Sequence, residues 1–187
     1  FAKRIMRHAY SHEKFFGVQK QSFVENYKSQ YVNSTVQWYQ SSLGKKILRL
    51  TNESSNPGLR AEMDLFVEDL LSSPPSEERI FLIEKIEGSL RMTEAGKSLY
   101  LGYVKLMYPF NKNNQGKRLG KMLRIWGESI TEPMREIVLR GLLFSYRNLR
   151  DRELEKYAEF LNSKAGRWFS QTSLKGFGKG IKKNLFM

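Results

Sequence analysis

The feature that most constrains this chain is a stretch that occurs twice. Val36–Ile47 reads VQWYQSSLGKKI and Ala158–Phe169 reads AEFLNSKAGRWF, at a constant offset of 122 positions. Trp38 aligns with Phe160, Ser41 with Ser163, Gly44 with Gly166 and Ile47 with Phe169; Tyr39 and Trp168 complete the aromatic set. In both copies a segment with apolar residues at helical spacing leads into the serine: Val32, Val36 and Tyr39 in the first, Leu154, Tyr157, Ala158 and Leu161 in the second. Each serine is suited to cap the next helix, because its oxygen accepts from N–H groups that a first turn leaves unpaired. Asp151 is expected to do the same for the helix that opens the second copy. The glycine falls three residues after the serine, inside the first helical turn, where it costs about 1 kcal/mol relative to alanine. Its presence at the same place twice asks for a cause. Close approach is the favoured one: without a Cβ, another backbone or the ring of Trp38 or Phe160 can lie against the turn. The alternative is an anion held by the turn's N–H groups.

An aromatic pair, then Ser, often Pro, then a small or apolar residue and Gly, followed by a basic residue, resembles the motif of the bacterial domain of unknown function 2059 family. WYQSSLGKKI carries Ser42 where proline is usual there, and FLNSKAGRWF carries Lys164. The middle segment PPSEERIFLIEKIEGSLRMTE is also similar to the centre of those proteins. The resemblance spans most of the chain. It implies an all-helical fold and export, to the periplasm or otherwise out of the cytoplasm, and it implies no particular activity.

Read in order, the chain is expected to be all-α. A single helical bundle occupies 1–173, with the first motif copy at 32–50, a helical hairpin at 75–108 and the second copy at 151–172. The two copies sit in related surroundings, as a pseudo-two-fold axis would place them. Gly17 is a plausible break in the N-terminal helices. Leu43, Ile47, Leu48 and Leu50 are expected to face inward, and Asn56-Pro57-Gly58 marks a turn. Leu59, Met63, Phe66, Val67, Leu70 and Leu71 form a further apolar stripe that Ser72-Ser73-Pro74-Pro75 ends. Ile80, Ile83, Ile86 and Leu90 mark one arm of the hairpin; Thr93-Glu94 opens the other and Tyr108-Pro109-Phe110 closes it. Ile137, Val138, Leu142, Leu143 and Tyr146 give a later helix a wide apolar face. Residues 174–187, LKGFGKGIKKNLFM, read as a basic Gly-rich tail, loosely held, since Gly176, Gly178 and Gly180 are poor helix formers.

Charge is unevenly placed. The chain has 32 Lys and Arg against 19 Asp and Glu, a net of +13. Acids crowd between Glu53 and Glu94, and none follows Glu159. Basic residues gather at Lys3, Arg4 and Arg7; at Lys112, Lys117, Arg118, Lys121 and Arg124; and at Lys164, Arg167, Lys175, Lys179, Lys182 and Lys183. Lys117, Lys121 and Arg124 share one helix face. Such asymmetry points to an anionic partner: an anionic polymer, a lipid surface or an acidic protein. Non-specific nucleic-acid binding is an alternative, although no nucleic-acid motif stands out. A homo-oligomer is compatible with the same pattern. No apolar run reaches the roughly 18 residues of a membrane span.

The sequence offers little to catalysis. With no cysteine, thiol nucleophiles and thiolate metal sites are excluded. His8 and His12 stand at i, i+4, a spacing that can bring two imidazoles to one metal, but no third ligand accompanies them. A hydrolase or metal-dependent enzyme built on this pair is therefore the alternative to the preferred reading. That reading is a non-enzymatic exported helical protein that uses its basic faces to bind an anionic envelope component or a protein partner. No cofactor is implied.

Overall fold

Apolar residues at helical spacing, broken by Ser, Asn and Pro punctuation, leave little room for anything but helices. The computed structural model describes residues 12–107 and 115–186 and is all-α, with no strand among the described residues. The helices are α1 (His12–Glu25), α2 (Ser29–Gln40), α3 (Ser42–Ser54), α4 (Arg60–Ser72), α5 (Glu77–Leu90), α6 (Met92–Met107), α7 (Gln115–Ser129), α8 (Thr131–Ser145), α9 (Asp151–Asn162) and α10 (Lys164–Phe186). A 3-10 turn, Pro57–Leu59, precedes α4; Asn56 caps it through its side chain, with Pro57 in the first turn. No described helix is long and apolar enough to cross a membrane.

The chain divides into two compact units, each drawn from separated segments. The first comprises Phe1–Tyr27, Arg91–Arg135 and Gln171–Met187, the second Lys28–Leu90 and Glu136–Ser170.

The second unit holds the main hydrophobic core. Ile47 and Leu50 of α3, Leu82, Ile83 and Ile86 of α5, Leu142 and Leu143 of α8, and Leu154, Tyr157, Ala158 and Leu161 of α9 are buried together. Each such Leu or Ile contributes about 1.5–3 kcal/mol by leaving water. Helices α5 and α9 pack most extensively. Arg79 of α5 fixes the approach to α9: its guanidinium donates to the carbonyls of Tyr146 (2.7 Å) and Leu149 (3.0 Å) and pairs with Asp151. Two carbonyls of the turn that follows α8 are thereby tied to a charged donor.

The first unit is built differently. Hydrogen bonds join α1 to α10, beside half-buried Val18, Phe23 and Phe177. Ser22, fully buried, donates from Oγ to the Thr172 carbonyl (3.1 Å), and Gln19 donates from Nε2 to the Ser173 carbonyl (3.2 Å). Gly176 makes this possible, since a Cβ there would stand 3.0 Å from Gln19 Cδ and 3.1 Å from Ser22 Cβ. In the same unit α6 packs on α7, with Gly127 facing Leu101 and Lys97.

Several expectations are corrected. The stretch from 174 is no loose tail: α10 runs unbroken from Lys164 to Phe186, and Gly176, Gly180 and Ile181 are buried. The helix penalty of glycine is outweighed by the close packing it permits. Gly17 does not interrupt α1. Asp151 is not the N-cap; Arg150 holds that position, and Glu153 reaches back to accept from the Arg150 N–H (2.9 Å). Asp151 is drawn instead to Arg79. The helix expected to open at Thr93-Glu94 begins at Met92, after Arg91 takes a left-handed conformation (φ 54°). Leu48, Leu71, Ile80 and Ile137 were expected inside and are exposed. Tyr108-Pro109-Phe110 lies outside the described residues.

Candidate anion-binding surface

The two motif turns are built alike. Ser41 (φ −64°, ψ 161°) and Ser163 (φ −66°, ψ 165°) are extended single residues between helices. Ser41 Oγ accepts from the Gly44 N–H at 3.1 Å, and Ser163 Oγ from the Gly166 N–H at 3.0 Å. The backbone N–H of each serine returns to the carbonyl of Trp38 or Phe160, both at 3.0 Å. So sharp a reversal lays the first turn of the new helix on the last carbonyl of the old one. A Cβ on Gly44 would stand 2.6 Å from Tyr39 Cα, and one on Gly166 2.7 Å from Leu161 Cα, with the Trp38 and Phe160 carbonyl oxygens closer still. Close approach of backbone is therefore what the glycines permit. One of the N–H groups that an anion would need is spent on the serine in both turns.

The aromatic residues that align in sequence also touch. Trp38 stacks on Phe160 with centroids 4.1 Å apart and planes 10° from parallel; Tyr39 meets Phe160 edge-on at 5.7 Å and lies 5.4 Å from Phe169. Trp168 lies 6.3 Å from Tyr31. Sequence reasoning missed the polar centre of this cluster. The Tyr157 hydroxyl is hydrogen-bonded to those of Tyr39 and Tyr146, and Tyr146 reaches Thr51 Oγ1 at 3.4 Å. Burial pushes the Tyr39 hydroxyl up to about 12 and that of Tyr157 well above its ordinary value. These phenols stay protonated, which suits buried structural donors and does not suit a base at neutral pH. Also missed was Glu153, held down to about 2 by the Lys46 ammonium (2.9 and 3.0 Å) and the Arg150 N–H.

Nothing among the described residues gathers into a reactive centre. His8 lies outside them, and His12 opens α1. No group of three or more His, Cys, Asp or Glu among the described residues is placed to hold a metal. A hollow of about 320 Å³ in the second unit is lined by Glu53, Ser54, Asn56, Ser145, Arg147 and neighbours. Arg147 and Ser145 of this lining are engaged within the protein. Arg147 pairs with Glu62 (2.6 Å) and donates to the Phe144 carbonyl (2.7 Å), while Ser145 donates to Ser54 (2.8 Å).

Charge is where the two units part. The segments of the second unit carry 14 Lys and Arg against 14 Asp and Glu, a net of zero. Those of the first carry 18 against five, the chain's entire +13. Counting only described residues, the first unit still has 14 against five. Within it Lys121 and Arg124 are exposed on α7, with Lys117 on the same helix and Glu128 4.0 Å from Arg124. On α10, Lys175 donates to Asn26 (3.4 Å), Lys179 pairs with Glu25 and holds its carboxyl below the ordinary value, Lys182 is exposed and Lys183 follows it. Lys164 and Arg167 are exposed but belong to the second unit. Lys3, Arg4, Arg7 and Lys112 lie outside the described residues. Comparison with known proteins found no family model, no curated protein and no solved structure that matches the chain.

Proposed function

We propose that this protein is a non-enzymatic, exported helical protein that binds an anionic envelope component or an acidic protein partner through basic faces. The observation that carries this reading is the partition of charge. A solubilising surface needs no such separation, because the second unit keeps equal numbers of both signs. A strongly one-signed surface raises the local concentration of the opposite charge and speeds its capture. Exposed Lys121, Arg124 and Lys182 are the residues expected to meet the ligand. The Ser41 and Ser163 turns serve the scaffold.

Binding to a soluble anionic polymer, polyphosphate, tests the reading. Affinity should fall steeply with added salt, as it does wherever bound cations release counterions. A Lys121→Glu/Arg124→Glu variant should bind about tenfold more weakly, whereas Lys45→Glu/Arg152→Glu in the neutral unit should change affinity less than about twofold. Binding that survives high salt, or that responds equally to both pairs, is incompatible with the proposal.

A further inference from the structure

None of the 13 residues of α4 is buried. Phe66 and Leu70 pack against the core of the second unit and are themselves only half-buried, while Leu65 and Leu71 are 63% and 82% exposed. The outer face of the helix runs Ala61, Asp64, Leu65, Glu68, all exposed, at i, i+3, i+4 and i+7. Its charge is one-sided: Glu62, Asp64, Glu68 and Asp69 stand against Arg60 alone. Helix α7 of the first unit carries the same pattern with the signs reversed. Lys121, Arg124, Ile125 and Glu128 are exposed at the same spacing, and Lys117, Arg118, Lys121 and Arg124 stand against Glu128 alone. Ile125 is 49% exposed. The ion pairs on these two faces, Arg60–Asp64 at 3.6 Å and Arg124–Glu128 at 4.0 Å, are exposed i, i+4 contacts. Such pairs hold little and leave their charges open to a new partner.

We infer that α7 of one molecule docks on α4 of a second copy of this chain, with Ile125 against Leu65 and the cations of one face over the acids of the other. This rests on the reading of Lys121 and Arg124 as a binding surface, and it names their acidic partner. An antiparallel approach fits the charges. With Leu65 opposite Ile125 it sets Lys121 beside Glu68 and Asp69, and Glu128 beside Ala61. A parallel approach would set Glu68 against Glu128, two like charges. Other occupants serve one face at most. A polyanion or an anionic lipid surface would satisfy Lys121 and Arg124, but the acids of α4 repel both. A second copy covers both faces with one contact. The net +13 of each molecule opposes association, yet salt at physiological strength screens charges more than about 8 Å apart, so the facing groups decide. The two faces are different patches, so the contact is head to tail and can repeat from copy to copy. One pair of helix faces falls short of the roughly 1,200 Å² at which stable interfaces begin, which makes the complex weak and concentration-dependent.

Sedimentation velocity of the full chain tests this, with polyphosphate binding measured in parallel. The average mass of the parent should rise with protein concentration and fall on added salt. Asp64→Lys/Glu68→Lys should weaken association about tenfold, and so should Lys121→Glu/Arg124→Glu. Leu65→Ser, which leaves every charge in place, should weaken it about fivefold. An equal mixture of the two charge-reversed variants should associate again, because each supplies the face that the other has lost. Circular dichroism checks that each variant keeps the helix content of the parent. A mixture that associates no better than its components overturns the inference. So does a parent that stays monomeric at every concentration; if that parent binds polyphosphate, the reading of the basic surface stands. If the parent neither associates nor binds polyphosphate, the underlying functional reading fails as well.

Discussion

Replacing Gly166 by alanine should unfold this protein more readily, although alanine is the better helix former. In an open helix the change would gain about 1 kcal/mol. Here the new Cβ would stand 2.7 Å from Leu161 Cα, where ordinary contact begins at 3.4 Å. That is an overlap of about 0.7 Å against backbone, which no rotamer change relieves. The helices either side of Ser163 must separate. Doing so strains the Ser163 cap on the Gly166 N–H, a bond whose loss costs about 1 kcal/mol. It also disturbs the Trp38–Phe160 stack, which is worth about 0.5–1.5 kcal/mol beyond its buried area. With overpacking itself at about 1–3 kcal/mol, the net should be a loss of about 2–4 kcal/mol, and Gly44→Ala should share its sign. Urea denaturation followed by far-ultraviolet circular dichroism measures it. Gly88→Ala and Gly141→Ala are the internal controls, since a Cβ at either meets nothing within 4 Å. They should be neutral or gain up to about 1 kcal/mol. A Gly166→Ala variant as stable as the controls would refute the argument from close approach.

Three further outcomes are expected. Glu153 titrates near 2 in the folded chain against an ordinary 4.5, so its contribution is complete above about pH 4.5 and is lost as pH falls toward 2. Lys46→Met should flatten the stability–pH profile in that window and cost about 1 kcal/mol at neutral pH, the pair being partly solvent-screened; urea midpoints across the acid range that match the parent's would contradict this. At the alkaline end Tyr39 is raised from 10.0 to about 12. The stability it lends is full below about pH 10 and lost as pH rises through about 12, so Tyr39→Phe should delete a late step from the ultraviolet phenolate titration. An intact late step would count against the burial argument. Arg91→Gly should raise stability by about 0.5–1 kcal/mol, because φ 54° suits glycine, and a lower melting temperature would show that the Arg91–Glu94 contact at 3.5 Å matters more than the strain.

How much of this was legible in the sequence depended on how local the cause was. The Ser41 and Ser163 turns could be read because a cap and its glycine lie three residues apart and need nothing distant to act. Asp151 could not, because its partner Arg79 is 72 positions away, and nearer groups claimed the cap. The stretch from 174 was misread for the same kind of reason. Gly176 looks like a helix breaker until Gln19 and Ser22, more than 150 positions earlier, are known to press against it. The clusters at Lys117–Arg124 and Lys175–Lys183 were visible as runs. That they belong to one unit, while Lys164 and Arg167 belong to another, depends on how separated segments assemble. The exposure of Val24 on α1 was hidden for a further reason: periodicity shows which residues share a face, and not which face turns inward.

The first unit bears two costs. Concentrating like charge works against a compact state through self-repulsion, and exposing Phe16, Val24 and Tyr27 forfeits burial at about 25 cal/mol per Å². Both costs fall on the same set of segments, and that set contains the hydrogen-bonded α1–α10 contact. The second unit shows that this chain has the means to avoid them: it balances its charges and buries its Leu and Ile residues around Tyr146 and Tyr157. The contrast is consistent with a division of labour in which the neutral unit carries the stability and the basic unit carries a surface finished by its ligand.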